Sequence, residues 1–291
     1  MNFPYLCTAF ESDLWLSDMR NCLKILFLVF ALMFGSLGNT SKAQFPYGTT
    51  GLLHLPTADM QRSGTVMLGG GWLNKEATPG RWYYDTWNYY LNVTLLPFLE
   101  IAYDMTLFKG SDLFKNLNIN RKYYHYWANQ DRNFSVRLRA IKEGQFWPWM
   151  PQVVLGGNDV LHTFSNDDVG KLGVSTTGNG YCGRLYFAAT KHFVFEGVGE
   201  LGAHVAFLYN DRKDFKYKGV GCGANFQVRL NQENIWSLLA NGVNVMAEYD
   251  TRSLNVGLNY KIWNDHINLF AEANQFKYVS AGLMYKMWLK E

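Results

Sequence analysis

Arg252-Ser-Leu-Asn-Val-Gly-Leu-Asn-Tyr-Lys-Ile262 is the most regular stretch of the chain. Leu254, Val256, Leu258, Tyr260 and Ile262 are apolar, while Ser253, Asn255, Gly257, Asn259 and Lys261 are polar or small. Strict period two gives a strand one apolar and one polar face, whereas a helix would scatter the same apolar side chains around its axis. The pattern predicts a β-strand, and the rest of the chain repeats it.

Leu91, Val93 and Leu95 alternate with Asn92 and Thr94, and Leu99 to Leu107 alternates with Glu100, Ala102, Asp104 and Thr106. Phe134, Val136 and Leu138 alternate with Ser135, Arg137 and Arg139. Similar runs cover 181–189, 193–209, 220–230, 243–250, 267–274 and 279–287, with weaker ones at 64–72 and 151–158. Residues 116–127 offer a further candidate. About twelve strands of roughly ten residues follow, longer than strands of soluble sheets and matched to membrane-crossing ones. Pro97 and Lys191-His192 read as tight turns, against long connections at 73–86, 109–132 and 159–179. Outer-membrane barrels show that asymmetry. Residues 234–241 break the alternation and read as a short helix at the periplasmic rim.

The expected fold is therefore all-β, a transmembrane antiparallel β-barrel. A soluble sandwich or lipocalin-like barrel alternates too, with the apolar face inside, and periodicity alone leaves the direction of each face open. Strand length, export and aromatics near strand ends (Trp87, Tyr89, Tyr90, Tyr209, Tyr249, Tyr260, Trp288) favour the membrane. On that reading Val256→Arg on the lipid face should cost about 2–4 kcal/mol near the bilayer midplane. Asn255→Arg, facing the lumen, should be milder.

Export is read from the start of the chain. Arg20 and Lys24 precede an apolar run from Ile25 to Gly38, and Ser41-Lys42-Ala43 offers a small-x-small cleavage site. Residues 19–43 thus read as a signal peptide, 1–18 as an over-extended start, and 44–291 as the barrel domain. The apolar run is short of the ~20 residues of a spanning helix. The net charge of +3 is too small for a nucleic-acid binder. Cys182 and Cys222 fall on opposite strand phases, which predicts two free thiols.

Chemistry is sparse. The six histidines lie far apart, with no metal-ligand spacing, and the glycine runs at 197–199 and 219–223 lack the following helix of a phosphate cradle. No cofactor is expected. Ser253, Asp250 and His266 are the one loose triad candidate, placed near one end of adjacent hairpins, but Ser and Asp at a tight turn ordinarily form the turn. No catalytic residue is assigned. Arg137, Arg139, Lys142 and Glu143, joined by Arg184 and Glu248, are a candidate polar cluster in the lumen. It reads first as an internal ion-pair network, with contact to an anionic glycan as the functional alternative.

Several motifs converge in order. They are Gly48-Thr-Thr-Gly-Leu-Leu-His-Leu-Pro-Thr-Ala58 with Ser63-Gly64, then Pro97-Phe-Leu-Glu100, Asp131-Arg132, Lys142-Glu-Gly144, Pro148 and Gly157-Asn-Asp159. Tyr186-Phe-Ala-Ala-Thr-Lys-His192, Glu248-Tyr-Asp250 and Val256-Gly-Leu-Asn-Tyr260 complete the series. Together they resemble the YjbH family of outer-membrane exopolysaccharide proteins. Arg132, Thr190 and His192 depart from the family's usual residues, and the chain offers one barrel where larger members carry two. The resemblance implies a part in making, secreting or anchoring extracellular polysaccharide in the outer membrane of a Gram-negative bacterium. It implies outer-membrane lipid, polysaccharide and other envelope secretion proteins as partners, and brings no catalytic residues. A general outer-membrane channel is the rival reading, and a lipid- or glycan-modifying barrel enzyme stands behind it.

Overall fold

The computed structural model describes residues 46–78, 85–109, 127–160, 183–212, 215–231 and 234–289. The twelve strands form one closed antiparallel barrel in chain order, β12 returning to pair with β1. The first half comprises β1 (Thr65–Leu73), β2 (Thr86–Leu96), β3 (Leu99–Lys109), β4 (Trp127–Ile141), β5 (Gln152–Asn158) and β6 (Arg184–Phe195). The second comprises β7 (Gly199–Tyr209), β8 (Lys218–Val228), β9 (Val243–Tyr249), β10 (Leu254–Ile262), β11 (Ile267–Asn274) and β12 (Tyr278–Trp288). Thr65 opposite Trp288 and Trp72 opposite Ala281 close the ring, so no strand edge is left to template pairing with another chain.

Period two decides which side chains line each surface, and the barrel is apolar outside and polar inside. Leu68, Leu91, Leu138, Leu155, Phe187, Phe207, Val245, Leu258, Leu269 and Leu283 project outward and are exposed. Asn92, Glu100, Asp104, Arg137, Arg184, Glu200, Glu248 and Lys286 project inward and are buried. Exposing a continuous apolar belt to water would forfeit about 25 cal/mol per Å², whereas lipid accepts it. The face assignment that periodicity leaves open is thereby resolved as that of a membrane barrel.

β1 starts and β12 ends at one rim, here the proximal rim, where β2–β3, β6–β7 and β10–β11 turn within a few residues. The longest connections, 110–126 and 159–183, leave the opposite, distal rim. The helix expected at 234–241 is present as α1 (Ile235–Ala240), capped by Asn234 Oδ1 accepting the Ser237 N–H. Its Ile235, Trp236 and Leu239 are exposed at the proximal rim, as are Trp147 and Trp149 of the β4–β5 connection and Trp263 of the β10–β11 turn. Aromatics in this position make an interfacial girdle.

Several expectations need correction. Lys191-His192 is no turn, because β6 continues to Phe195 and the chain reverses at 196–198. β4 begins at Trp127, so the connection before it is shorter than the polar character of 109–132 suggested. Tyr90 is buried on the lumen side rather than in the girdle, over Gly48 and Gly69. Cys222 is disulfide-bonded, not free, and its partner lies outside the described residues. Strand phase excludes a disulfide only between residues that both lie in strands, and Cys182 lies outside the described residues. The expected leader at 19–43, the leading segment 1–18 and the candidate strand before Trp127 also lie outside the described residues.

Leu258 is at the middle of β10 and faces outward. Leu258→Arg is expected to cost about 2–4 kcal/mol in urea unfolding from micelles, and Val256→Arg, nearer the distal rim, less. A cost near zero at both positions would contradict the lipid-facing assignment.

Candidate functional site

A twelve-stranded barrel lies between the eight-stranded type, whose own side chains fill the interior, and the wide porins with an aqueous channel. Its lumen is filled here by the segment that precedes β1. Tyr47, Leu52, Leu53, Leu55 and Ala58 are buried inside the barrel, in one apolar cluster with Val154, Tyr186, Leu208 and Met246 of the wall. The segment has little regular structure beyond a tight reversal, where Gly51 bridges Pro56 and the Leu52 N–H donates to the Leu55 carbonyl at 3.0 Å.

An irregular backbone in such a place must find partners for its polar groups, and the wall supplies them. Glu248 accepts the N–H groups of Leu53, His54 and Leu55 at 3.0, 2.7 and 3.1 Å. Glu100 accepts the Thr50 N–H at 2.7 Å and its hydroxyl at 2.8 Å. The Ala58 N–H donates to the Thr190 hydroxyl at 2.8 Å. The carbonyls are met by cations and amides. Arg184 Nη1 donates to the His54 carbonyl at 2.7 Å, Asn92 to the Gly48 carbonyl at 2.7 Å, and Gln152 to the Ala58 carbonyl. Arg137 Nη2 donates to the carbonyls of Thr57 and Asp59, while its Nη1 pairs with Glu100 at 2.8 Å.

Shape complements this polar lattice. A Cβ at Gly221 would stand 2.5 Å from the Leu55 side chain, at Gly223 2.6 Å from Leu52, and at Gly257 2.5 Å from Leu53. The inward glycines of β8 and β10 are sockets for the three leucines of Gly51-Leu-Leu-His-Leu-Pro56. Toward the distal rim, the Arg184 guanidinium lies 4.0 Å from the Tyr47 ring centre and 4.9 Å from that of Tyr217, whose hydroxyl meets that of Tyr47 at 2.5 Å. His54 Nε2 is 3.2 Å from a Glu272 carboxylate oxygen. The expectation that Asn255→Arg is mild fails here. Asn255 is buried beside Glu248, to which its amide donates at 3.3 Å, and a filled lumen has no room for an arginine.

A second polar group lies at the proximal rim, where the segment leaves the lumen. Glu143 receives the His192 N–H at 3.1 Å, stands 2.7 Å from His192 Nδ1 and pairs with Lys191 at 3.0 Å. His192 Nε2 is 3.2 Å from Asp59, and Arg229 pairs with Glu200 at 3.1 Å. Burial alone would push the Glu143 carboxyl up, but hydrogen bonding and charge from His192, with a bond from Lys191, hold it below the usual carboxylate range. A cavity of about 500 Å³ opens here, walled by Asp59–Ser63 on one side and Arg139, Lys142, Glu143, Gln152 and His192 on the other.

The depressed Glu143 value makes stability pH-dependent. With a folded-state pKa below the unfolded one, the contribution is complete above the unfolded carboxylate value of about 4.3. It shrinks below that and is gone once pH falls through the folded value. Unfolding midpoints of the native protein and Glu143→Gln should therefore differ at pH 7 and converge on acidification. A gap that ignores pH would contradict the assignment.

The six residues read from sequence as one lumen cluster divide between these two places. Arg137, Arg184 and Glu248 grip the luminal segment; Arg139, Lys142 and Glu143 sit at the proximal rim, the last two beyond the end of β4. The loose triad does not assemble. Ser253 and Asp250 share the β9–β10 turn, where the Ser253 N–H donates to Asp250 Oδ1 at 2.7 Å. His266 lies past the other end of β10, roughly 30 Å away at ~3.3 Å per strand residue. Periodicity missed the luminal segment because it has none. The signals that pointed to it were Gly48–Ala58, an apolar motif without alternation ahead of the first strand, and the excess of glycine on the polar face of β8.

These features define an outer-membrane-type β-barrel whose lumen is occupied by the segment that precedes β1. Residues 43–165 match the family model described as exopolysaccharide biosynthesis protein YbjH, a span that takes in the luminal segment and β1 to β5. No curated protein matches the chain. Among solved structures it is similar to a mutant of Rh. blastica porin, at 8% identity over 69% of this chain and 55% of that one, with a TM-score of 0.28. It is also similar to Salmonella typhi outer membrane phospholipase, at 11% identity over 78% and 90%, with a TM-score of 0.34. The chain spans about half the length of the porin.

Proposed function

We propose that this protein is an outer-membrane β-barrel serving exopolysaccharide production, at the step where the glycan is translocated or assembled at the cell surface. The observation that carries the reading is the family match over 43–165, because it includes both the luminal segment and the first five strands of the wall that holds it. The apolar exterior supports a place in lipid, and the leader-like pattern at 19–43 supports export. Glycan, outer-membrane lipid and other envelope secretion proteins are the partners, and no catalysis is assigned.

A general diffusion channel is the weaker reading, because an open pore has no use for a lumen occupied by hydrogen-bonded chain. Deleting the gene should lower surface polysaccharide, with restoration by the native gene. Unchanged polysaccharide together with altered small-solute uptake would sink the proposal in favour of the channel.

A further inference from the structure

The proximal cavity has features that its part in holding the luminal segment does not explain. Its carboxylates are already engaged, Glu143 by Lys191 and His192, and Asp59 by His192. Two of its cations are not. Arg139, half-buried at the mouth of the lumen, and Lys142, exposed beside it, have neither an ion pair nor a side-chain hydrogen bond among the described residues. Half-burying a guanidinium without a carboxylate costs desolvation that a partner normally offsets. The β4–β5 register also slips between Arg139 and Ile141, an irregularity of the kind that re-aims a side chain at a barrel rim.

The volume, about 500 Å³, lies in the range of small-ligand sites. Its lining mixes the fork-shaped donor of Arg139 with the ammonium of Lys142, the amide of Gln152 and the apolar surfaces of Met60 and Pro97. A guanidinium fork with an ammonium beside it recognises a carboxylate, and amide and apolar surface suit the hydroxyls and ring faces of a sugar. We infer that this cavity binds an acidic saccharide, a sugar unit carrying a carboxylate, with Arg139 and Lys142 as its anion contacts. Because Asp59–Ser63 forms one wall, a bound sugar touches the chain at the point where it enters the lumen. The identity of the ligand as a saccharide rests on the exopolysaccharide reading; the anion site rests on the geometry.

The test is calorimetric titration of the full-length protein in micelles with short galacturonic acid oligomers, malto-oligosaccharides of equal length and inorganic phosphate. The acidic oligomer should bind, the neutral one at least tenfold more weakly, and phosphate more weakly than the acidic oligomer. Arg139→Gln combined with Lys142→Gln should weaken the acidic oligomer at least tenfold, with folding checked by the gel shift on boiling. Lys142→Gln alone, at an exposed position, should weaken it several-fold and serves if the double variant does not fold. Equal binding of the neutral oligomer, tighter binding of phosphate, or indifference to Lys142→Gln would overturn the inference. Loss of polysaccharide on gene deletion without oligomer binding would sink the site alone, and unchanged polysaccharide would sink the exopolysaccharide reading alone.

Discussion

Removing residues 46–61 while keeping residues 1–45 and β1 to β12 should convert a filled barrel into a conducting pore. The segment occupies the lumen, and the groups it covers are ones that water can take over. Glu100, Glu248, Arg137 and Arg184 lose their chain partners but gain hydration, so the wall itself remains satisfied. The lipid-facing belt and the closed strand pairing do not involve the segment. In planar bilayers the native protein should give a quiet baseline and the shortened one stable channel openings. Equal conductance in both would mean that 46–61 does not seal the barrel.

Arg137→Ala should have the largest effect on stability of any single wall substitution. Arg137 and its partner Glu100 are both fully buried, and the same guanidinium holds the carbonyls of Thr57 and Asp59. Truncating it leaves a buried carboxylate without its cation and two carbonyls without a donor, and breaking a buried pair from one side costs about 3–5 kcal/mol. Unfolding in urea from micelles should show that loss. Replacing both partners, Arg137→Met with Glu100→Gln, should cost less than Arg137→Ala alone, since no unpaired charge is then left inside. A double variant as damaged as the single one would mean that the pair does not act as a unit.

How far the chain could be read from its residues follows from what carries periodicity. Arg252–Ile262 alternates because it has lipid on one side and a packed polar lumen on the other, and β10 is found there with Leu258 out and Asn255 and Asn259 in. Strand number was readable for the same reason. The ends of strands were not, since alternation says nothing about where pairing stops; β6 runs through the Lys191-His192 pair that looked like a turn. Tyr90 looked like a girdle residue by type, but its phase with Asn88 and Asn92 places it inward.

The site was half readable. Alternation assigned Arg137, Arg184 and Glu248 to the lumen, yet nothing local to them says that they bind backbone. Their partners lie far away in sequence, in a segment whose hydrogen bonds go to side chains and which therefore has no period to detect. Glycine stands on the polar face of β8 and β10 where Leu52, Leu53 and Leu55 take the space a side chain would fill. The Cys222 disulfide was not legible, because strand phase compares only residues inside strands and Cys182 lies outside the described residues.

The central claim is that residues 46–61 are an ordered part of the barrel interior. Amide hydrogen exchange on the full-length protein in micelles tests it most directly. The N–H groups of Thr50, Leu53, His54, Leu55 and Ala58, bound to Glu100, Glu248 and Thr190, should exchange as slowly as those of β9 and β10. Exchange of these amides as fast as in an unstructured peptide, with the strands protected, would contradict it.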